Sequence, residues 1–137
     1  MTTTKYSRQR QAIIDFLKTR KDHPTAEVIY SNIREIYPNI SMGTVYRNLN
    51  LLSENGTVLK ISLEDDSAHF DGFTHPHFHF FCKKCKSLLD IEIDQKSISS
   101  INHIAQEHFD GVIESQVSVF YGLCKECKCM HQLAKAE

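Results

Sequence analysis

The 137-residue chain carries 16 Lys/Arg, 17 Asp/Glu and 8 His, for a formal net charge of -1, with 41% hydrophobic and 24% charged residues. These proportions belong to a water-soluble globular protein, and no apolar run approaches a membrane span. The charge is unevenly spread: residues 1–60 sum to +4 and residues 61–137 to -5. A basic first half suits a polyanion, and an acidic second half suits cations.

The opening MTTTKYSRQRQ is basic but is followed by no apolar signal region, so the expectation is a cytoplasmic protein without a leader. Five cysteines in such a setting point to metal rather than to disulfides.

In chain order, Ser7 is a candidate cap for a helix with Ala12, Ile13, Phe16 and Leu17 at helical spacing. A break at Lys21 to Pro24 precedes a second helix from near Thr25, with Ala26, Ile29, Ile33 and Ile36 on one stripe, ending before Pro38. Ser41 can cap a third helix that buries Val45, Leu49 and Leu52, with Asn55-Gly56 supplying left-handed residues at its end. Thr57 to Ser62 alternates as a strand, Glu64 to Ser67 is a polar turn, and Ala68 to Asp71 returns antiparallel.

Three helices followed by a two-stranded wing predict a winged helix-turn-helix whose third helix presents Thr44, Tyr46, Arg47 and Asn48 to the major groove. Arg47 and Tyr46 could equally solvate a surface helix. The expected boundaries are a winged-helix DNA-binding domain over 1–72 and a dimerisation and metal-binding domain over 73–137. The second domain is expected to be a small α/β unit with strands at Leu88 to Ile93 and Val112 to Tyr121, a helix from Ser97 to His108, and a cysteine-rich tail. The fold class is α+β. A two-fold dimer of such domains predicts a palindromic double-stranded operator.

Cys82-Lys83-Lys84-Cys85 and Cys124-Lys125-Glu126-Cys127 are two CxxC pairs 38 residues apart. Four thiolates fill a tetrahedral zinc shell and leave no open position, which makes the predicted zinc structural. A redox CxxC needs one such pair, not two. Cys129 is left over as a surface thiol of unassigned role.

His75-Pro76-His77-Phe78-His79-Phe80 alternates, so a strand would put the three imidazoles on one face, with Asp71 upstream and Asp90 on the next strand. Mixed nitrogen and oxygen donors suit Fe2+ or Mn2+, whereas thiolates select zinc. Surface histidines without a metal are the alternative. His103 and His108, five apart on a helix, are read as solvated. The sequence shows neither a substrate pocket nor a general base, so an enzyme is not expected.

The segments HPTAEVIY (23–30), GTVYRNLNLL (43–52), HFDGFTHPHFHFFCKKC (69–85) and YGLCKEC (121–127) resemble the ferric uptake regulator family, and the resemblance spans nearly the whole chain. It implies a homodimeric, metal-dependent transcriptional repressor. Within the family the likeness is to the peroxide-stress type, and it implies a regulatory Fe2+/Mn2+ site of His23, Asp71, His77, His79 and Asp90. Asp90 stands where iron-uptake members tend to carry Glu, and Gln116 where they carry a sensory His. His69 stands where Arg is common, and His75 adds a further nitrogen of unassigned role. The implied mechanism is peroxide sensing by iron-catalysed oxidation of His23 or His77. The alternative is iron- or zinc-responsive repression of metal uptake without peroxide sensing.

Overall fold

The computed structural model describes residues 7–136, with side chains as far as Met130. The expectation of a leaderless start falls largely on residues 1–6, outside the described residues. Among the described residues, no helix is long and apolar enough to cross a membrane. The chain divides into two compact units, Met1–Thr74 and His75–Glu137.

The first unit contains α1 (Arg8–Lys18), α2 (Ala26–Ile33), α3 (Met42–Glu54), β1 (Leu59–Ser62) and β2 (Ala68–Asp71). Each helix opens on a hydroxyl that accepts an otherwise unpaired backbone N–H. Ser7 takes that of Arg10 at 3.2 Å, Thr25 that of Val28 at 3.4 Å, and Ser41 that of Thr44 at 3.1 Å. Ile13, Leu17, Ile29, Ile33, Val45, Leu49 and Leu52 bury one stripe per helix in a shared core with Val58 and Phe70. The strands pair antiparallel as the wing, Leu59 opposite Asp71 and Ser62 opposite Ala68. Asp66 turns the hairpin in a left-handed conformation, and the Asp65 carboxylate accepts the Ser67 N–H at 3.0 Å.

Two expectations for this unit change. Helix α2 ends at Ile33, so Ile36 leaves the inner stripe and is 62% exposed. At the end of α3 only Gly56 is left-handed, with φ 80°, whereas Asn55 has φ -88° and instead accepts the Thr57 N–H through its side chain.

The second unit contains β3 (Phe78–Cys82), β4 (Leu88–Ile91), α4 (Gln95–Glu107), β5 (Val119–Gly122) and α5 (Lys125–Ala136). The sheet order is β4-β3-β5, with β3 antiparallel to β4 and parallel to β5. Asp94 caps α4, accepting the Ser97 N–H at 2.8 Å. The predicted long strand from Val112 shrinks to β5: residues 112–117 have no ladder partner, and Val112 is 82% exposed. The predicted strand end at Ile93 moves back to Ile91, and the cysteine-rich tail is helix α5.

Candidate metal centres and nucleic-acid interface

The parallel pairing of β3 with β5 makes the cysteine cluster. Parallel strands finish at the same end of a sheet, and Cys82 sits opposite Gly122, so the turn after β3 and the start of α5 meet. The Sγ atoms of Cys82, Cys85, Cys124 and Cys127 all lie within 4.8 Å of one another. Cys85 and Cys124 are 3.7 Å apart. That is far beyond a disulfide bond and matches the edge of a tetrahedron with zinc–sulfur bonds of about 2.3 Å.

The electrostatics agree. The backbone N–H groups of Cys85 and Cys124 point at Cys82 Sγ from 3.5 and 3.4 Å and pull that thiol down to about 6. The Ser87 hydroxyl, 3.1 Å from Cys85 Sγ, draws the Cys85 thiol below its ordinary value. Cys127, facing Cys124 in a buried position, is pushed up to about 12, as expected where adjacent thiols cannot all ionise without a cation. Cys129, also on α5, is exposed and outside the cluster.

The nitrogen and oxygen donors occur in both units. In the first, His23 Nε2 lies 3.2 Å from Asp71 Oδ2, and both side chains are buried. Among the described residues, His23 is one of three non-glycine residues at positive φ, 54°, a conformation that costs about 1–2 kcal/mol for an L-residue. Asp71 is fixed from its other side, where Oδ1 accepts the Phe73 N–H at 2.8 Å.

In the second unit His79 stands opposite Asp90 in the β3–β4 ladder, with Nε2 3.6 Å from Asp90 Oδ1. His77 Nε2 is 3.4 Å from the same oxygen. A carbonyl oxygen only accepts, so the 2.7 Å contact between His77 Nδ1 and the His75 carbonyl places the proton on Nδ1 and leaves Nε2 as the nitrogen that carries the lone pair.

The expected strand beneath the three imidazoles is corrected, although their rings still stand side by side, with centroids 4.8 Å apart for His75 and His77 and 4.4 Å apart for His77 and His79. Strand β3 begins only at Phe78, after Pro76, which has no N–H for a ladder; His77 precedes the strand, and His75 is exposed. His103 is exposed and lies 3.1 Å from Glu107.

On α3 the predicted DNA-facing residues separate. Tyr46 and Arg47 are exposed; Tyr46 donates its hydroxyl to Glu27 at 3.0 Å, and Arg47 donates to Thr44 Oγ1 at 3.1 Å. The hydrogen bond to Glu27 raises the Tyr46 phenol above its ordinary value. Asn48 departs from expectation. It is only 8% exposed, its Nδ2 donates to the Thr44 carbonyl at 3.0 Å, and its Oδ1 accepts Arg10 Nε at 3.0 Å. Its position on α3 turns it toward α1, where it steers Arg10. Sequence reasoning passed over Arg10, because nothing local links residues 38 positions apart.

A model of the ferric uptake regulator family matches residues 1–119. The chain belongs to the ferric uptake regulator family. Membership makes it a metal-responsive transcriptional regulator. It is 38% identical over 120 residues to the peroxide-responsive repressor PerR of Staphylococcus epidermidis, covering 88% of this chain and 79% of that one. The PerR of Staphylococcus aureus is 37% identical over 120 residues, covering 88% and 80%.

Among solved structures, the peroxide stress regulator of Campylobacter jejuni superposes with a TM-score of 0.77 at 28% identity, over 87% of this chain and 88% of that one. The Helicobacter pylori ferric uptake regulator, at 23% identity and a TM-score of 0.74 over 90% and 82%, shares the fold. The family fold is thus α+β, a winged helix followed by a small α/β unit carrying a four-cysteine cluster fit for zinc.

Proposed function

We propose that this family member is a cytoplasmic homodimeric repressor of palindromic operators that senses hydrogen peroxide. Its structural Zn2+ belongs to Cys82, Cys85, Cys124 and Cys127, and its regulatory Fe2+ or Mn2+ to His23, Asp71, His77, His79 and Asp90 jointly. The observation that carries this reading is the donor chemistry. Thiolates gather in one cluster, imidazoles and carboxylates in others, and each set suits a different cation. Relatives 37–38% identical that are peroxide-responsive repressors support the signal.

The residues have distinct tasks. Asp71, held by the Phe73 N–H, presents its second oxygen beside His23; His77 and His79 present Nε2 atoms beside Asp90. Fe2+ held by these groups would relay electrons from a ring to peroxide: the imidazole of His23 or His77 loses two electrons and takes one peroxide oxygen at a ring C–H, the other oxygen leaves as water, and the iron is not consumed. An oxidised imidazole is a weaker donor, so the ligand set loosens and the DNA-binding shape is lost.

The domain roles are a DNA-binding unit up to about residue 72 and a dimerising, metal-binding remainder. Thr44, Tyr46 and Arg47 contact the operator, and the basic first half gathers phosphates. The exposed apolar residues Leu89, Ile101, Ile104, Phe109 and Phe120 of the second unit supply the face for a second copy.

Protein loaded anaerobically with Fe2+ or with Mn2+ is exposed to peroxide, digested and analysed by mass spectrometry. The proposal expects one added oxygen on His23 or His77 with iron and none with manganese. Unmodified histidines in the iron sample, alongside unchanged DNA release, favour iron- or zinc-responsive repression without peroxide sensing.

A further inference from the structure

The unusual backbone of His23 is in contact with a second histidine. The residue is buried at φ 54°, and its carbonyl oxygen lies 2.7 Å from His69 Nδ1. Because that oxygen can only accept, Nδ1 carries the proton and His69 is the donor. The backbone is stitched at the same place: Thr25 bridges to His69, and Phe70 donates its N–H to the Pro24 carbonyl at 2.9 Å. Main-chain pairing holds residues 24 and 25 to β2, and the carbonyl of His23, one residue earlier, meets the same strand through the imidazole of His69.

Strand β2 therefore does two things. Alternation puts the side chains of His69 and Asp71 on one face, so the strand that supplies Asp71 also supplies the group that turns His23 toward it.

We propose that His69 is a positioning residue for the regulatory metal. Its Nδ1–H holds the His23 main chain in the left-handed conformation from which the His23 imidazole meets Asp71. Without that donor His23 relaxes to negative φ, where an L-residue is unstrained, and its ring leaves the carboxylate. This rests on the reading of His23 as a metal ligand.

The test uses the full chain with its cysteine-bound zinc and Mn2+ alone as probe, with free Mn2+ followed by electron paramagnetic resonance. The variants are His69→Leu, which has no donor, His69→Asn, whose amide nitrogen stands as many bonds from the backbone as Nδ1, and His23→Ala.

His69→Leu is expected to weaken Mn2+ binding on the order of 10- to 100-fold, the range for groups that orient a ligand, with His69→Asn recovering most of it and His23→Ala losing it. Should His69→Leu not fold by circular dichroism, His69→Val, which suits a strand, replaces it. Wild-type affinity in His69→Leu together with loss in His23→Ala overturns the inference and leaves the ligand reading standing. Equal weakening in His69→Leu and His69→Asn also overturns it, since packing alone would then explain the effect. Wild-type affinity in His23→Ala overturns the ligand reading itself.

Discussion

Nε2 of His23 faces Oδ2 of Asp71 at 3.2 Å, and water reaches neither side chain. One comes from the turn before α2 and the other from the end of the wing, so the two lie at the junction between the helical core and the hairpin. Burying two polar groups costs stability unless each is satisfied, and a cation bound by both is one reason to keep them.

Replacing His23 by alanine leaves the Asp71 Oδ2 atom without that partner. The expected cost to the unloaded protein is about 1–3 kcal/mol in urea unfolding, the range for a buried group deprived of a partner. The same variant should lose its response to Mn2+ while retaining zinc, which elemental analysis checks.

Gly72 follows Asp71 directly and lies against the end of α1. A Cβ there would stand 2.9 Å from the Leu17 carbonyl carbon, 3.0 Å from its oxygen and 3.1 Å from the Lys18 nitrogen. These are backbone atoms that cannot swing aside, so Gly72→Ala should cost about 1–3 kcal/mol by overpacking. Because the strand must shift beside Asp71, Mn2+ affinity should fall with the melting temperature; lower stability with unchanged affinity would separate the two.

Arg10 and Arg47 should behave differently on DNA. Loss of an arginine that reads a base costs about 1–3 kcal/mol on the preferred sequence only, whereas loss of a phosphate contact weakens all sequences and lowers the salt slope by about one. Arg47→Ala is expected to do the first and Arg10→Ala the second. Asn48→Leu should resemble Arg10→Ala, since Asn48 holds the Arg10 guanidinium. Salt-dependent anisotropy titrations on preferred and scrambled duplexes distinguish them.

The cysteine cluster predicts a proton count. In the metal-free protein the Cys82 thiol titrates near 6 and is already ionised at pH 7.5, whereas Cys127, near 12, is protonated. Zinc uptake at pH 7.5 should therefore release fewer than four protons per ion, as read in weakly buffered solution, and the apparent affinity should rise with pH as Cys127 more easily yields its proton. The linkage has opposite signs at the two residues. The depressed Cys82 favours the metal-free fold above its ordinary value of 9.0, and that support is lost as pH falls through about 6. The raised Cys127 favours the fold below 9.0, support that disappears as pH climbs toward 12.

Much of this was legible in the residues because its causes are local. Ser7, Thr25 and Ser41 announce their helices since a cap acts within three residues, and the repeated CxxC spacing states its own chemistry. What escaped depends on partners far along the chain. Val112 to Val117 looks apolar enough for a strand, but a strand exists only where a neighbour shares its hydrogen bonds, and β3 bonds to this stretch only from Ser118 onward. The cysteines of the tail drew notice from the helical character of Lys125–Ala136. Asn48 occupies a position that reads as groove-facing until Arg10 is seen beside it, and the left-handed His23 needs a donor 46 residues away.

A cation shared by His23, Asp71, His77, His79 and Asp90 is proposed to set the DNA-binding shape. This is tested most directly by measuring affinity for a duplex selected by the Mn2+-loaded protein, comparing that form with protein carrying only its cysteine-bound zinc. Tighter binding by the loaded form is expected, within the roughly 5- to 150-fold span usual for coupled sites. Equal affinity of the two forms would contradict it.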